Sequence, residues 1–147
     1  MPGLMQGKRG LIMGVANDHS IAWGIAKTLA EHGAKLAFTY QGEALGKRVK
    51  PLAASVEADF VLPCDVEDIS TVDAVFSELG RAWGMLDFVV HAIGFSDKAQ
   101  LVGRYADTTR ENFLRTMLIS CFSFTEVAKR AAAMMPNGGA KIGRAHV

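Results

Sequence analysis

The 147 residues carry a formal net charge of +1; half are apolar and 21% are charged, the balance of an ordinary soluble globular domain with no pull toward nucleic acid. The longest uncharged stretch in the C-terminal half, 116–125, falls well short of the roughly 20 residues that a bilayer-spanning helix needs. Cys64 and Cys121 stand far apart without C-x-x-C or Cys/His spacing, so no metal or redox site is expected and both read as reduced, buried thiols.

Residues 10–13 read as a first strand running into a turn at Gly14. From Ile21 onward, Ile21, Gly24, Ile25, Thr28 and Leu29 fall on one face of a helix, with Ser20 as its cap and Gly33 as its stop. Residues 35–40 form a second strand, 42–56 a helix interrupted near Pro51, and 58–62 a third strand closing at Pro63. Val72, Val75, Phe76, Leu79 and Trp83 repeat the helical face, and 86–91 is an almost wholly apolar strand of the kind that parallel sheets bury.

After an irregular stretch, 92–107, the capping-box pattern Thr108-x-x-Glu111 opens a long helix that runs to about residue 135. Phe113, Met117, Phe124 and Ala131 are its expected sheet-facing residues, while Leu114, Leu118, Cys121 and Phe122 lie on rows that call for a partner subunit. The alternation of strands and helices predicts an α/β fold, a Rossmann-type doubly wound parallel sheet with helices on both faces, and one unit without internal repeats. The N-terminus enters its strand without a signal-peptide pattern, so a cytoplasmic protein is expected.

The turn from 14 to 24, GVANDHSIAWG, is where a pyrophosphate would meet backbone N–H groups and the positive end of a helix. Gly14 suits the tight turn, and Gly24 is read as allowing close helix–strand packing. The middle glycines of G-x-G-x-x-G are absent, so the turn alone leaves a nucleotide loop and a merely structural turn equally open.

Four motifs in order carry more weight: Gly14-x5-Ser20-Ile21-Ala22-x-Gly24, Phe38-Thr39-Tyr40-Gln41, Cys64-Asp65-Val66, and His91-Ala92-Ile93-Gly94-Phe95. Together they resemble the enoyl-acyl-carrier-protein reductase branch of the short-chain dehydrogenase/reductase superfamily, over about residues 4–139. Ala92 departs from the serine that many relatives carry there.

The resemblance implies NADH-dependent reduction of a trans-2-enoyl thioester on acyl carrier protein in fatty-acid biosynthesis, by a full-length parent that is a homotetramer. It places Gly14, Ser20 and Ile21 at the pyrophosphate and ribose, Gln41 by the adenosine ribose, and Asp65 with Val66 at the adenine. Ile93 and Gly94 fall at the nicotinamide end, and Ser96 at the acyl substrate. Asp65 could instead merely cap the next turn, and His91 is read as a hydrogen-bonded structural residue. Gln41 is neutral between NADH and NADPH, and Lys47 and Arg48 would favour NADPH if they turned inward.

The family's catalytic tyrosine and lysine, spaced Tyr-x6-Lys, are expected further on, so neither Tyr40 nor Tyr105 is given a catalytic role and the 147 residues alone are expected to be inactive. Residues 142–147, IGRAHV, match the translation of a common sequencing-adapter stretch. Residues 1–139 are accordingly read as the dinucleotide-binding domain, 140–147 as an artificial tail, and the sheet as truncated after about four strands. A 3-oxoacyl reductase would normally carry a three-glycine loop and Asn-Ala-Gly after the fourth strand. That enzyme, and a dinucleotide-binding module without turnover, remain the alternatives.

Overall fold

Five short segments become five parallel strands in the computed structural model, which describes residues 3–144. They are β1 (Arg9–Met13), β2 (Lys35–Tyr40), β3 (Phe60–Pro63), β4 (Phe88–His91) and β5 (Ala140–Gly143), and they lie in the order β3-β2-β1-β4-β5. Successive strands step outward from β1 to β3 and then jump back to the other side of β1. This reversal makes the carboxyl ends of β1 and β4 a switch point, where a crevice opens between diverging connections.

Side chains alternate across β1, which fixes the two cores. Leu11 and Met13 pack with Val72 and Leu79 of α3 (Ile69–Ala82) and with Val127 and Ala131 of α5 (Ser123–Ala133). Ile12 points the other way, to Trp23 of α1 (Ile21–Glu31) and Val49 of α2 (Gly42–Ser55). Helices therefore cover both faces, as the strand–helix rhythm predicts.

Several local expectations are corrected. β5 pairs with β4 in register from Phe88↔Ala140 to His91↔Gly143, so the sheet has five strands among the described residues rather than about four. Residues 140–143, read as part of a tail, form its edge, with every side chain exposed; residues 145–147 lie outside the described residues. The helix α2 runs through Pro51 without interruption. Pro51 and Lys47 are both exposed, so water can satisfy the carbonyl whose partner the proline removes.

The long helix is not one α-helix. It consists of α4 (Arg110–Met117), a π-helical turn (Leu118–Phe122) and α5. Its cap is Thr109, whose hydroxyl accepts from the Asn112 N–H at 3.2 Å, one residue beyond the expected Thr108. The face it buries is Asn112, Ile119, Ser123, Val127 and Ala131, whereas Phe113 and Met117 are 44% and 42% exposed. Cys121 is exposed too, and only Cys64 is a buried thiol. Apolarity misleads at the start of this helix because Asn112 turns inward to hold a loop, described next.

Candidate functional site

A cavity of about 400 Å³ opens at the carboxyl ends of β1 to β4, within the range of small-molecule sites. Its walls include Gly14, Ser20, Ile21, Gln41, Asp65, Val66, Ile93 and Gly94. Four connections that are far apart in sequence thus converge on one space, with Gly14 and Asp65 on the same side of the sheet.

Gly14 has φ +104°, and a Cβ built on it would collide with the Ala92 carbonyl. Only glycine allows the β1 turn to approach the end of β4 so closely. Gly24 is different: a Cβ there would meet nothing within 4 Å, so the packing role expected of it is absent.

Ser20 does not cap α1 with its side chain. Its hydroxyl instead accepts from the N–H groups of Ala16 and Asn17, at 2.9 and 3.1 Å, and so folds the preceding loop. The amides of Ile21 and Ala22, at the head of α1, are consequently left without a protein acceptor among the described residues, and both residues line the cavity. Unpaired N–H groups and the positive helix end face one space, which suits an anionic ligand.

The Asp65 carboxylate accepts from the Glu67 N–H at 2.9 Å through Oδ1, so the turn-capping role is real. Its main chain is clamped by Thr71, whose hydroxyl accepts from the Asp65 N–H at 2.9 Å and donates to its carbonyl at 2.8 Å. Only one carboxylate oxygen is engaged, which leaves the other available to a ligand. Cys64 lies beside it, and burial pushes that thiol up to about 11, so it is no nucleophile at neutral pH.

Gln41 starts α2 with no side-chain capping bond and is exposed. Lys47 and Arg48 are exposed and are absent from the cavity wall. Tyr40 and Lys47 stand at the Tyr-x6-Lys spacing, but spacing alone does not make them the family's pair. The Tyr40 side chain is packed in the α1–α2 core against Gly46, and Lys47 points to solvent, so the two do not form a pair.

The loop after β4 is sewn to α4 and the π-helical turn. Ser120 Oγ accepts from the Phe95 N–H at 3.0 Å and lies 3.2 Å from its carbonyl, and the Asp97 N–H donates to Asn112 Oδ1 at 3.0 Å. Ser96 Oγ accepts from Asn112 Nδ2 and Thr116 Oγ1, both at 3.1 Å. Ser96 is thus tied to the helix and, unlike the eight residues above, is not in the cavity wall.

His91 is buried, with Nε2 2.7 Å from Ser123 Oγ and its ring edge-on to Phe124. The Ser123 hydroxyl also donates to the Ile119 carbonyl at 2.6 Å, so both contacts are satisfied when the neutral ring donates from Nε2. Burial lowers the His91 pKa. This is a structural histidine, as expected.

Sequence reasoning missed Glu67, Arg115 and Ile119 and gave Phe95 no role of its own, though all four are in the wall. The Arg115 guanidinium makes a two-pronged ion pair with Glu67, at 2.8 and 3.0 Å, and lies 4.6 Å above the Phe95 ring. No local signal reveals a pair separated by 48 positions. Among the described residues no group of three or more His, Cys, Asp or Glu side chains could hold a metal, and no helix is long and apolar enough to cross a membrane.

The family model described as enoyl-(acyl carrier protein) reductase matches residues 14–147. Enoyl-acyl-carrier-protein reductase (NADH) 2 of Rhizobium meliloti strain 1021 is 76% identical over 139 residues, covering 95% of this chain and 52% of that protein. Among solved structures, an enzyme of the same type, FabI from Candidatus Liberibacter asiaticus, is 62% identical with TM-score 0.94, covering 97% of this chain and 55% of its own. The Anaplasma phagocytophilum reductase in complex with NAD is 53% identical with TM-score 0.92, covering 96% and 54%. The chain spans about half the length of the curated relatives it matches.

Proposed function

This chain belongs to the enoyl-(acyl carrier protein) reductase family, and from that premise we propose that it supplies the dinucleotide-binding part of an enzyme that reduces trans-2-enoyl thioesters on acyl carrier protein with NADH. One observation carries the reading: the turns after β1, β2, β3 and β4 meet in one cavity onto which Gly14 and the unpaired α1 amides open.

In this reading Gly14, Ser20 and Ile21 hold the pyrophosphate and its adjoining ribose. Gln41 lies beside the adenosine ribose. The free oxygen of Asp65 accepts from the adenine amino group while the Val66 N–H donates to a ring nitrogen. Ile93 and Gly94 flank the nicotinamide end. Ser96 belongs to the acyl side, where its hydroxyl, already held by Asn112 and Thr116, contributes position rather than a free donor.

Bound NADH supplies the hydride for the β-carbon of the enoyl thioester. Proton relay is assigned to the family's tyrosine and lysine outside residues 1–147, and to no residue of this chain. NADH is favoured over NADPH because Lys47 and Arg48 face solvent and the similar curated proteins are NADH enzymes. The exposed row of Phe113, Leu114, Met117 and Phe122 supports burial against partner subunits in a full-length homotetramer. Two free cysteines suit a cytoplasmic, reducing compartment. Residues 1–139 are proposed as the authentic domain and 140–147 as foreign to it.

The test is a chimera in which residues 1–139 replace the matching part of the Rhizobium meliloti relative. Loss of NADH absorbance with crotonyl thioester is expected within about tenfold of that relative, a barrier change of ~1.4 kcal/mol. A folded chimera that neither binds NADH nor turns over would overturn the reading.

A further inference from the structure

Arg115 joins separate parts of the cavity rim by its side chain. It projects from α4, grips Glu67 with two hydrogen bonds, and covers the Phe95 ring. Glu67 follows Asp65 and Val66 on the β3–α3 connection, and its N–H is capped by the Asp65 carboxylate. Phe95 follows Ile93 and Gly94 on the connection after β4. One guanidinium thus sets the spacing between the loop that faces adenine and the loop on the far side of the switch point. A planar five-donor group suits that task, because it can bind a carboxylate in two places while stacking on a ring.

Charge points the same way. Arg115 faces Glu67 and Asp65, the two carboxylates of the cavity wall. Without it, the rim would present net negative charge to a ligand that carries two phosphates. The pair itself is partly solvated, with side-chain exposures of 50% and 31%, so its contribution to global stability is small while its effect on rim geometry is local.

We propose that Arg115 is a positioning residue for the adenine end of the cofactor, acting through Glu67 and Phe95 to hold the Asp65–Val66 loop against the loop after β4. The proposal rests on the dinucleotide reading above.

Calorimetry on the 147-residue chain tests it with NADH and with ADP-ribose, which lacks the nicotinamide. Arg115→Gln is expected to weaken both ligands by the same factor, about three- to tenfold, and to leave the unliganded unfolding midpoint unchanged. Arg115→Lys, which restores the charge without the fork, should recover part of the loss. Glu67→Gln combined with Arg115→Gln should be no weaker than Arg115→Gln alone. Unchanged ADP-ribose affinity in Arg115→Gln, a loss for NADH that exceeds the loss for ADP-ribose, or equal drops in the unfolding midpoint for the Gln and Lys variants would overturn the positioning role. Failure of the unmodified chain to bind either ligand would overturn the dinucleotide reading instead.

Discussion

The substitution Gly14→Ala isolates the backbone requirement at the mouth of the cavity. Alanine at φ +104° carries a left-handed penalty of about 1–2 kcal/mol, and its Cβ meets the Ala92 carbonyl. Relief requires the β4 end to move, which strains the bond from the Ala92 N–H to the Met13 carbonyl, 2.9 Å long and worth about 1 kcal/mol. Lower entropy of the unfolded alanine chain offsets about 0.4–1 kcal/mol. The net loss is about 2 kcal/mol, or roughly 6 °C in unfolding midpoint at about 3 °C per kcal/mol for a chain of this size. Gly24→Ala is the internal control. It lies within α1 with open space around it, so helix propensity should stabilise it by up to ~1 kcal/mol and raise the midpoint by about 3 °C. Thermal unfolding followed by far-ultraviolet circular dichroism reads both signs. A Gly14→Ala midpoint within 2 °C of the parent (about the measurement's resolution), or a Gly24→Ala midpoint that falls as far as that of Gly14→Ala is expected to fall, would refute the reasoning.

Three further outcomes follow from the site. Burial lowers the His91 pKa in the folded chain, so the unfolded state binds the extra proton as pH falls below about 6.5, the ordinary histidine value. Stability is therefore full above that pH and declines below it, and the slope of unfolding free energy between pH 7 and 5.5, measured in urea, should flatten in His91→Gln; identical slopes would refute the assignment. Of the two free cysteines, exposed Cys121 should react with a disulfide reagent in the native chain, and buried Cys64 only after denaturation; two fast native thiols would contradict this. Asp65→Ala should weaken NADH about five- to tenfold by losing one acceptor of order 1 kcal/mol, while Asp65→Asn, which keeps a turn acceptor for the Glu67 N–H, should fall between. Equal calorimetric affinities in all three proteins would leave Asp65 a turn cap alone.

The strands were legible because a parallel sheet writes short apolar runs into the sequence and ends each at a turn. Gly14 could be found from the first of those turns, and Asp65 and Ile93 from the ordered motifs that carry the family resemblance. What escaped was set by partners remote in sequence. Ser20 looks like a helix cap but is claimed by the amides of Ala16 and Asn17. Asn112, Thr116 and Ser120 look like the solvent face of a helix, yet they hold the loop from Phe95 to Asp97, and Phe113 is turned outward in consequence. Arg115 is unremarkable in sequence, and its importance exists only where Glu67 and Phe95 are brought beside it.

The π-helical turn Leu118–Phe122 sets the angular phase of everything that follows it. One residue more than an α-helical turn requires is accommodated there, and each residue of a helix corresponds to about 100° of rotation. Ser123, the first residue after the turn, meets His91 because of that extra increment. Shortening the turn by one residue would thus do more than draw the helix in by about 1.5 Å. It would swing Ser123, Val127 and Ala131 off the sheet together while leaving Asn112 and Thr116 at the loop, as though the two halves were keyed to separate locks on one shaft. Length within these five residues is consequently as much a determinant of what α5 buries as the identity of any side chain along it.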